Sequence, residues 1–520
     1  MEAHDGDFQR LFLWPREFVQ KMATYSAQCL GVLVDKYRDG LSIVTDFSGV
    51  GSVEIACSFI EHGLRDSGQC QETFSSSQFT GLHCQRASDS NPACRKILML
   101  DACSHEGEGA SGHAPGCVFG SLEERIAPEI LQKLHSLQAT CVAGAESDLD
   151  GVEDATLQKN LHHRWGRQFL KLAVEALQDS GAELPATVWC HRHQRACRFH
   201  VRDEQAGATL AAGGPPCIDW SQIGLRLGWL GRGAIPFLLW AHERWLCRER
   251  IILMENVPGI DHDSLSVVFP CYHITVFTVS LAQFGIPANR ERVYIVMLLQ
   301  GTSWLLQDPE AVFREIFTEE HLLSSACQFF SAPQDIVDRN HSWQAVTRGL
   351  PGVSPTGRAW QAKHVMSMTE VKRVRAWEER VRGDLQLGRN QRADVYMNAS
   401  QSAERCGVMY RLPTLITNAH IWSMRLQRLL LIPEMWEVQG FAMFEKGIPS
   451  KYMCPFRSCV LDTLAAQEST EQTEAKRTSR RRKFQQDLQL NHQDLRVMVG
   501  NSMSLQSVGA ILLFTLAFVR

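Results

Sequence analysis

Short apolar runs bounded by glycine, proline and polar clusters recur along this chain and alternate with stretches of helical spacing. Residues 8–37 carry Phe8, Leu11 and Phe12 on one side, continued by Phe18, Met22 and Tyr25, which predicts a leading helical region packed on a larger core. Residues 41–47 alternate like a strand and run into the turn Asp46-Phe47-Ser48-Gly49-Val50-Gly51-Ser52, after which residues 53–60 suit a helix. Residues 65–77 read as an inserted polar loop, residues 79–89 as a second strand ending in Asp89, and Pro92 opens a helix that runs to residue 100. Residues 122–185 are helix-rich, with 128–135 and 165–177 as the clearer segments, and read as an insertion covering one face. Residues 235–245 form an amphipathic pattern, and 250–254, 273–277 and 293–297 read as short strands. Periodicity weakens from 301 to 410, residues 465–486 are polar, and residues 495–519 return to apolar spacing. Strands alternating with helices predict an α/β chain with a Rossmann-like sheet, flanking helices and a smaller irregular region.

Composition narrows the class. The 520 residues are 44% apolar and 21% charged, an ordinary soluble balance with room for a large core. A net charge of −4 argues neither for nor against nucleic acid, because a basic cleft can sit on a mildly acidic protein. The 17 cysteines are scattered through a large chain whose start, Met1-Glu2-Ala3-His4-Asp5, lacks a signal-peptide pattern. Reduced thiols in an intracellular compartment are therefore expected, nuclear in a eukaryote. The longest apolar run, 508–519, is too short to span a bilayer and contains Gly509, so no membrane segment is expected.

Candidate chemistry centres on Gly213-Gly214-Pro215-Pro216-Cys217-Ile218-Asp219-Trp220-Ser221. Two glycines permit close backbone approach and two prolines stiffen the turn, so one cysteine is aimed from a held position, as a nucleophile requires. The strand at 250–254 delivers Glu255 at its C-terminal end, where parallel sheets bind ligands. Arg290 and Arg292 sit at alternate positions and point the same way on an extended chain, suited to a carbonyl and a phosphate. The glycine turn competes between a dinucleotide site and another anion-ended ligand; Glu54 at the third glycine position disfavours pyrophosphate. Cys190, His193, Cys197 and His200 could supply four zinc ligands, but their spacing matches no common zinc pattern. A basic polar connection is preferred there, and no metal is assigned.

In their order along the chain, the turn at 46–52, the Pro-Cys loop, Met254-Glu255-Asn256-Val257, the Arg290/Arg292 pair and Gly500-Asn501-Ser502 resemble the conserved blocks of the DNA cytosine-5 methyltransferase family. Residues 411–417 and 431–441 resemble its ninth block. The resemblance implies a methyltransferase sheet, S-adenosylmethionine as methyl donor, and double-stranded DNA with a flipped cytosine as substrate. It implies Cys217, Glu255, Arg292 and Arg290 as catalytic residues. It further implies Phe47, Ser48, Gly49, Gly51, Asp89, Ser90, Ser121, Pro215, Asn501 and Ser502 as cofactor contacts. Ser90 stands where the family has an apolar or aromatic side chain against adenine, Ser121 where it has an aspartate, and Ala288 where it has a glutamine. Those departures motivate a silent nucleic-acid-binding alternative, and a related branch that methylates transfer RNA motivates another. The expected organisation is a helical region at 1–38, a catalytic domain at 39–300, a target-recognition region with the ninth block at 301–462, a basic linker at 463–490 and a returning segment at 491–520, in a monomer.

Overall fold

The computed structural model describes residues 5–68, 79–100, 114–181, 183–199, 209–221, 224, 226–319, 321–350, 360–386, 394–404, 406–407, 409–465 and 490–520. Most of the polar loop at 65–77, His200 with the start of the approach to the Pro-Cys turn, and the basic run at 476–483 lie outside the described residues. The chain forms two compact units, one of Val19–Val279, Glu291–Ile316 and Val508–Arg520, the other of Met1–Phe18, Ser280–Arg290 and Phe317–Ser507.

The first unit is built on a nine-stranded sheet. Its strands are β1 (Leu41–Asp46), β2 (Leu82–Ser88), β3 (Cys117–Phe119), β4 (Thr187–Cys190), β5 (Arg195–Arg198), β6 (Leu210–Gly213), β7 (Ile251–Asn256), β8 (Tyr272–Ser280) and β9 (Glu291–Leu299). The spatial order is β5-β4-β3-β2-β1-β6-β7-β9-β8. Strands β3, β2, β1, β6 and β7 are parallel, while β9 runs antiparallel to β7 and β4–β5 is an antiparallel hairpin. Parallel strands covered on both faces read as continuous apolar runs, and all six residues of β7 are buried. Crossovers run in opposite directions from β1, to β2 on one side and β6 on the other, so the two turns after β1 and β6 flank the switch point where such sheets take ligands.

The helix-rich stretch resolves into two long helices, Pro128–Leu149 and Ala155–Asp179, that pack on each other. Both exceed the segments legible from periodicity, because only one stripe of each faces the core: Leu134, Cys141 and Ala145 on the first, Phe169, Leu170, Ala173 and Leu177 on the second. The basic connection after them is the β4–β5 hairpin. The stretch His492–Phe518 could cross a bilayer by length and composition, but 89% of its apolar window is buried, and it breaks at Ser502 into helices His492–Asn501 and Leu505–Phe518.

In the second unit, where periodicity is weak, a three-stranded antiparallel sheet of β10 (Tyr396–Asn398), β11 (Ile421–Ser423) and β12 (Arg428–Leu429) packs with helix Met368–Gln386 around Trp377, Trp422, Val374 and Met397. The turn after helix Ile432–Val438 is closed by Gly440 at φ +89°.

Candidate functional site

Strand β6 is made of small buried residues and ends at Gly213, next to Met254 of β7. The chain leaves the sheet through Pro215 and Pro216, and Asn256 Nδ2 donates to the Pro215 carbonyl at 3.2 Å. Beyond the half-buried Cys217, its carbonyl accepts the amides of Trp220 and Ser221 at 3.1 and 2.9 Å. Asp219 accepts the Gly233 amide at 2.8 Å and so caps helix Ala234–Cys247. Gly259 permits the final contact, since a Cβ there would lie 2.4 Å from the Trp220 carbonyl oxygen. Cys217 is therefore held on a turn tied to the end of β7 on one side and to a helix start on the other.

Glu255 occupies the end of β7, 9% exposed, and its Oε1 accepts Arg292 Nε at 3.0 Å. Register explains the pairing, because β9 lies antiparallel against β7 with Glu255 opposite Tyr294 and Asn256 opposite Val293. Arg290 departs from expectation. It precedes β9 in the other unit, is 5% exposed, and donates to the carbonyls of Leu415, Gly500 and Ser502 at 3.0, 3.3 and 2.7 Å. A guanidinium committed to three backbone acceptors is a strut, so the two arginines do not act as one pair.

The turn after β1 takes Phe47, Gly49 and Gly51 into the left-handed region, at φ 52°, 57° and 84°. A Cβ on Gly49 would meet nothing within 4 Å, so open space lies before the loop. Ser48 Oγ donates to the Ser88 carbonyl at 3.1 Å and ties the turn to β2. Asp89 accepts the Gly49 and Asn91 amides at 2.8 Å each, and burial pushes its carboxyl up from the ordinary aspartate value. Ser90 is exposed. Ser121 caps a short helical turn, its hydroxyl accepting the Glu123 amide at 3.3 Å. Glu54 is 2% exposed and accepts the Thr45 hydroxyl, which sets a buried carboxylate beneath the loop. Asn501 and Ser502 belong to the other unit, and the Ser502 hydroxyl donates to the Val499 carbonyl at 3.1 Å. Ser502 is buried and hydrogen-bonded within its own helix end.

Sequence reasoning missed a buried ionic lattice under this turn. Asp46 accepts Arg86 and Arg125 at 3.1 and 2.9 Å and lies 3.4 Å from Arg244. Glu243 pairs with Arg125 and Arg244 at 3.2 Å each, and Glu249 with Arg244 at 3.2 Å. Burial alone would raise the Asp46 carboxyl, but the three guanidinium groups hold it well below the usual carboxylate range. The only sequence signal was charge inside apolar runs, Arg86 in β2 and Glu243-Arg244 in helix Ala234–Cys247.

Two more groupings flank the site. The hairpin brings Cys190, His193 and Cys197 together with Cys117 of β3, all four ligand atoms within 4.8 Å of one another. Beside the Pro-Cys turn, a cleft of about 500 Å³ is lined by Lys159, His162, His163, Arg226, Trp220 and Asp261, among others.

The family model for C-5 cytosine-specific DNA methylases matches residues 204–444, just under half the chain, which include Cys217, Glu255 and Arg292. No curated protein matches the chain in sequence. Among solved structures the chain is similar to the Dnmt2 methyltransferase of S. pombe, at 11% identity and TM-score 0.36, covering 92% of this chain and 98% of that one. It is also similar to a prophage-encoded E. coli protein assigned as a DNA modification methyltransferase, at 11% identity and TM-score 0.39, covering 91% and 98%. Residues 204–444 are thus similar to the C-5 cytosine-specific DNA methylases.

Proposed function

We propose that the chain methylates C5 of cytosine in double-stranded DNA through a covalent adduct on Cys217. The observation that carries this reading is the Glu255–Arg292 pair at the end of β7, beside the strand whose exit turn holds Cys217.

The electron pair of the Cys217 thiolate forms a bond to C6 of the ring while Glu255 delivers a proton to N3, and C5 becomes enamine-like. Arg292 fixes the carboxyl of Glu255 and carries a second face of donors suited to the base oxygen or a phosphate. S-adenosylmethionine, which the turn at 47–51 with Asp89, Ser90 and Ser121 would hold, supplies the methyl group. Water then takes the C5 proton, the C6–S bond breaks, Cys217 leaves as thiolate and the N3 proton returns to Glu255. These atoms are inaccessible inside a base stack, so the cytosine must be extruded at a cost of a few kcal/mol. Lys159, His162, His163 and Arg226, lining the cleft beside the Pro-Cys turn, suit the phosphates on either side of it.

Duplex DNA carrying 5-fluorocytosine tests this, because fluorine cannot leave C5 as a cation and the adduct is trapped. A denaturation-stable protein–DNA conjugate that needs methyl donor is expected from wild type and absent from Cys217→Ala. Glu255→Gln should slow transfer about 10²–10⁴-fold. Conjugates formed equally by Cys217→Ala would sink the nucleophile. Methylation of transfer RNA with none of DNA would move the same chemistry to RNA, and no calorimetric binding of S-adenosylmethionine would favour a silent binding protein.

A further inference from the structure

We propose that Cys117, Cys190, His193 and Cys197 form a structural zinc site at the edge of the large sheet, with a ligand set that no local spacing reveals.

The strand register brings the sulfurs together. Phe119 of β3 pairs with Cys190 of β4, and Cys190 pairs with Arg195 of β5. Side chains on a strand alternate between faces, so Cys117, two before Phe119, and Cys197, two after Arg195, share the face of Cys190. The turn His191–Gln194, with Gln194 in the left-handed region at φ 52°, folds His193 back over that face.

Distances then separate a metal site from a chance cluster. His193 Nδ1 lies 3.7 Å from the sulfur of Cys117, 3.4 Å from that of Cys190 and 3.3 Å from that of Cys197. A tetrahedral zinc with Zn–S of about 2.3 Å and Zn–N of about 2.0–2.1 Å sets nitrogen and sulfur roughly 3.5 Å apart, in the middle of that range. Hydrogen bonding cannot account for all three contacts. One ring nitrogen makes one good hydrogen bond, either through its own N–H or through a single lone pair that accepts one S–H, so at least two sulfurs would crowd it without a bond. A cation at the centre turns each of those contacts from repulsive to bonding.

Ligand chemistry selects the ion. Three thiolates and one imidazole are soft-to-borderline donors, favouring zinc over calcium or magnesium, and four protein ligands complete the tetrahedron with no position left for substrate. A disulfide would use two of the three sulfurs and leave the histidine unexplained. Arg192, Arg195 and Arg198 on the same hairpin offset the residual negative charge of a zinc with three thiolates. The ion would join β3, before the helical insertion, to the hairpin after it. It would also cover a small apolar core of Phe119, Val188 and Phe199. Strand β3 leads straight into Ser121, so the same staple fixes one wall of the nucleotide end of the sheet.

The test is metal content of the full chain purified without metal-affinity steps. One zinc per chain is expected, exchangeable for cobalt with the strong visible and near-ultraviolet bands of a tetrahedral thiolate site. Cys117→Ser and Cys197→Ser should lose the stoichiometric metal, while Cys459→Ser, elsewhere in the chain, keeps it. His193→Cys supplies a fourth thiolate and should retain the metal with more intense charge-transfer absorption, which guards against variants that merely unfold. Protein with no stoichiometric zinc that takes up no cobalt overturns the proposal, as does full retention of metal by Cys117→Ser.

Discussion

The buried lattice around Asp46 predicts that Asp46→Asn, a change that keeps shape and removes only charge, will destabilise the sheet unit severely. Wild type balances three guanidinium groups, Arg86, Arg125 and Arg244, against three carboxylates, Asp46, Glu243 and Glu249. The side chains of Asp46 and Arg244 are 0% exposed and that of Arg125 is 1% exposed. At contacts of 2.9–3.4 Å and an effective dielectric of about 20, each attraction is bounded near 5–6 kcal/mol. Desolvation consumes much of that in the intact lattice, but the variant retains the desolvation of three cations with one anion gone. Breaking a buried pair from one side costs about 3–5 kcal/mol, which is the expected loss. Set against a total stability of about 5–15 kcal/mol, that approaches unfolding. Urea titration followed by tryptophan fluorescence measures it. The sign with pH follows from the depressed carboxyl: the contribution is present above the ordinary aspartate value of 3.8 and is lost as pH falls below it. Wild type and variant should therefore converge in acid. Adding Arg125→Met, which restores two cations against two anions, should recover part of the loss. A measured loss under about 1 kcal/mol, the worth of a surface pair, would refute a desolvated lattice.

Two further outcomes follow from the same geometry. Lys159→Gln should weaken duplex binding and lower the salt dependence of its affinity by a slope of about 1, with unchanged melting temperature, in anisotropy titrations across salt; an unchanged slope removes Lys159 from the phosphate path. His492, stacked on Trp343 with ring centroids 3.5 Å apart, is pushed down to about 4 by burial and by Arg496. A lowered base destabilises the fold as the unfolded chain takes up the proton, so stability should fall by about 3 kcal/mol between pH 6.5 and pH 4 and then level off. His492→Gln should flatten that window in equilibrium unfolding, and an equal slope in both proteins would exclude the histidine.

Local chemistry was legible in the sequence where the physics is local. The strand, glycine turn and helix at 41–60 read correctly because alternation, left-handed glycines and helical spacing are properties of neighbouring residues. The Pro-Cys turn after β6 and the short buried strand that ends at Glu255 read for the same reason, as local structure. Arg290 failed for an instructive reason. Two residues apart point alike only on one extended strand, and β9 begins at Glu291, so Arg290 lies before the segment over which alternation holds.

What sequence reading could not supply were partners brought in by strand order. The Asp46 lattice draws on β1, β2, a helical turn after β3 and a helix after β6, and nothing in the order of residues says that these surround one point. The metal-ligand cluster shows how such information could be recovered. A search confined to contiguous spacing finds Cys190, His193 and Cys197 and then looks to His200 for the fourth ligand. Once β3 is taken as the parallel neighbour of β2 and the basic connection as a hairpin at the sheet edge, alternation alone puts Cys117 on the face of Cys190. The missing step was the pairing of β3 with β4, one bridge between Phe119 and Cys190, and that pairing converts a spacing that matches no common pattern into a closed set of four donors.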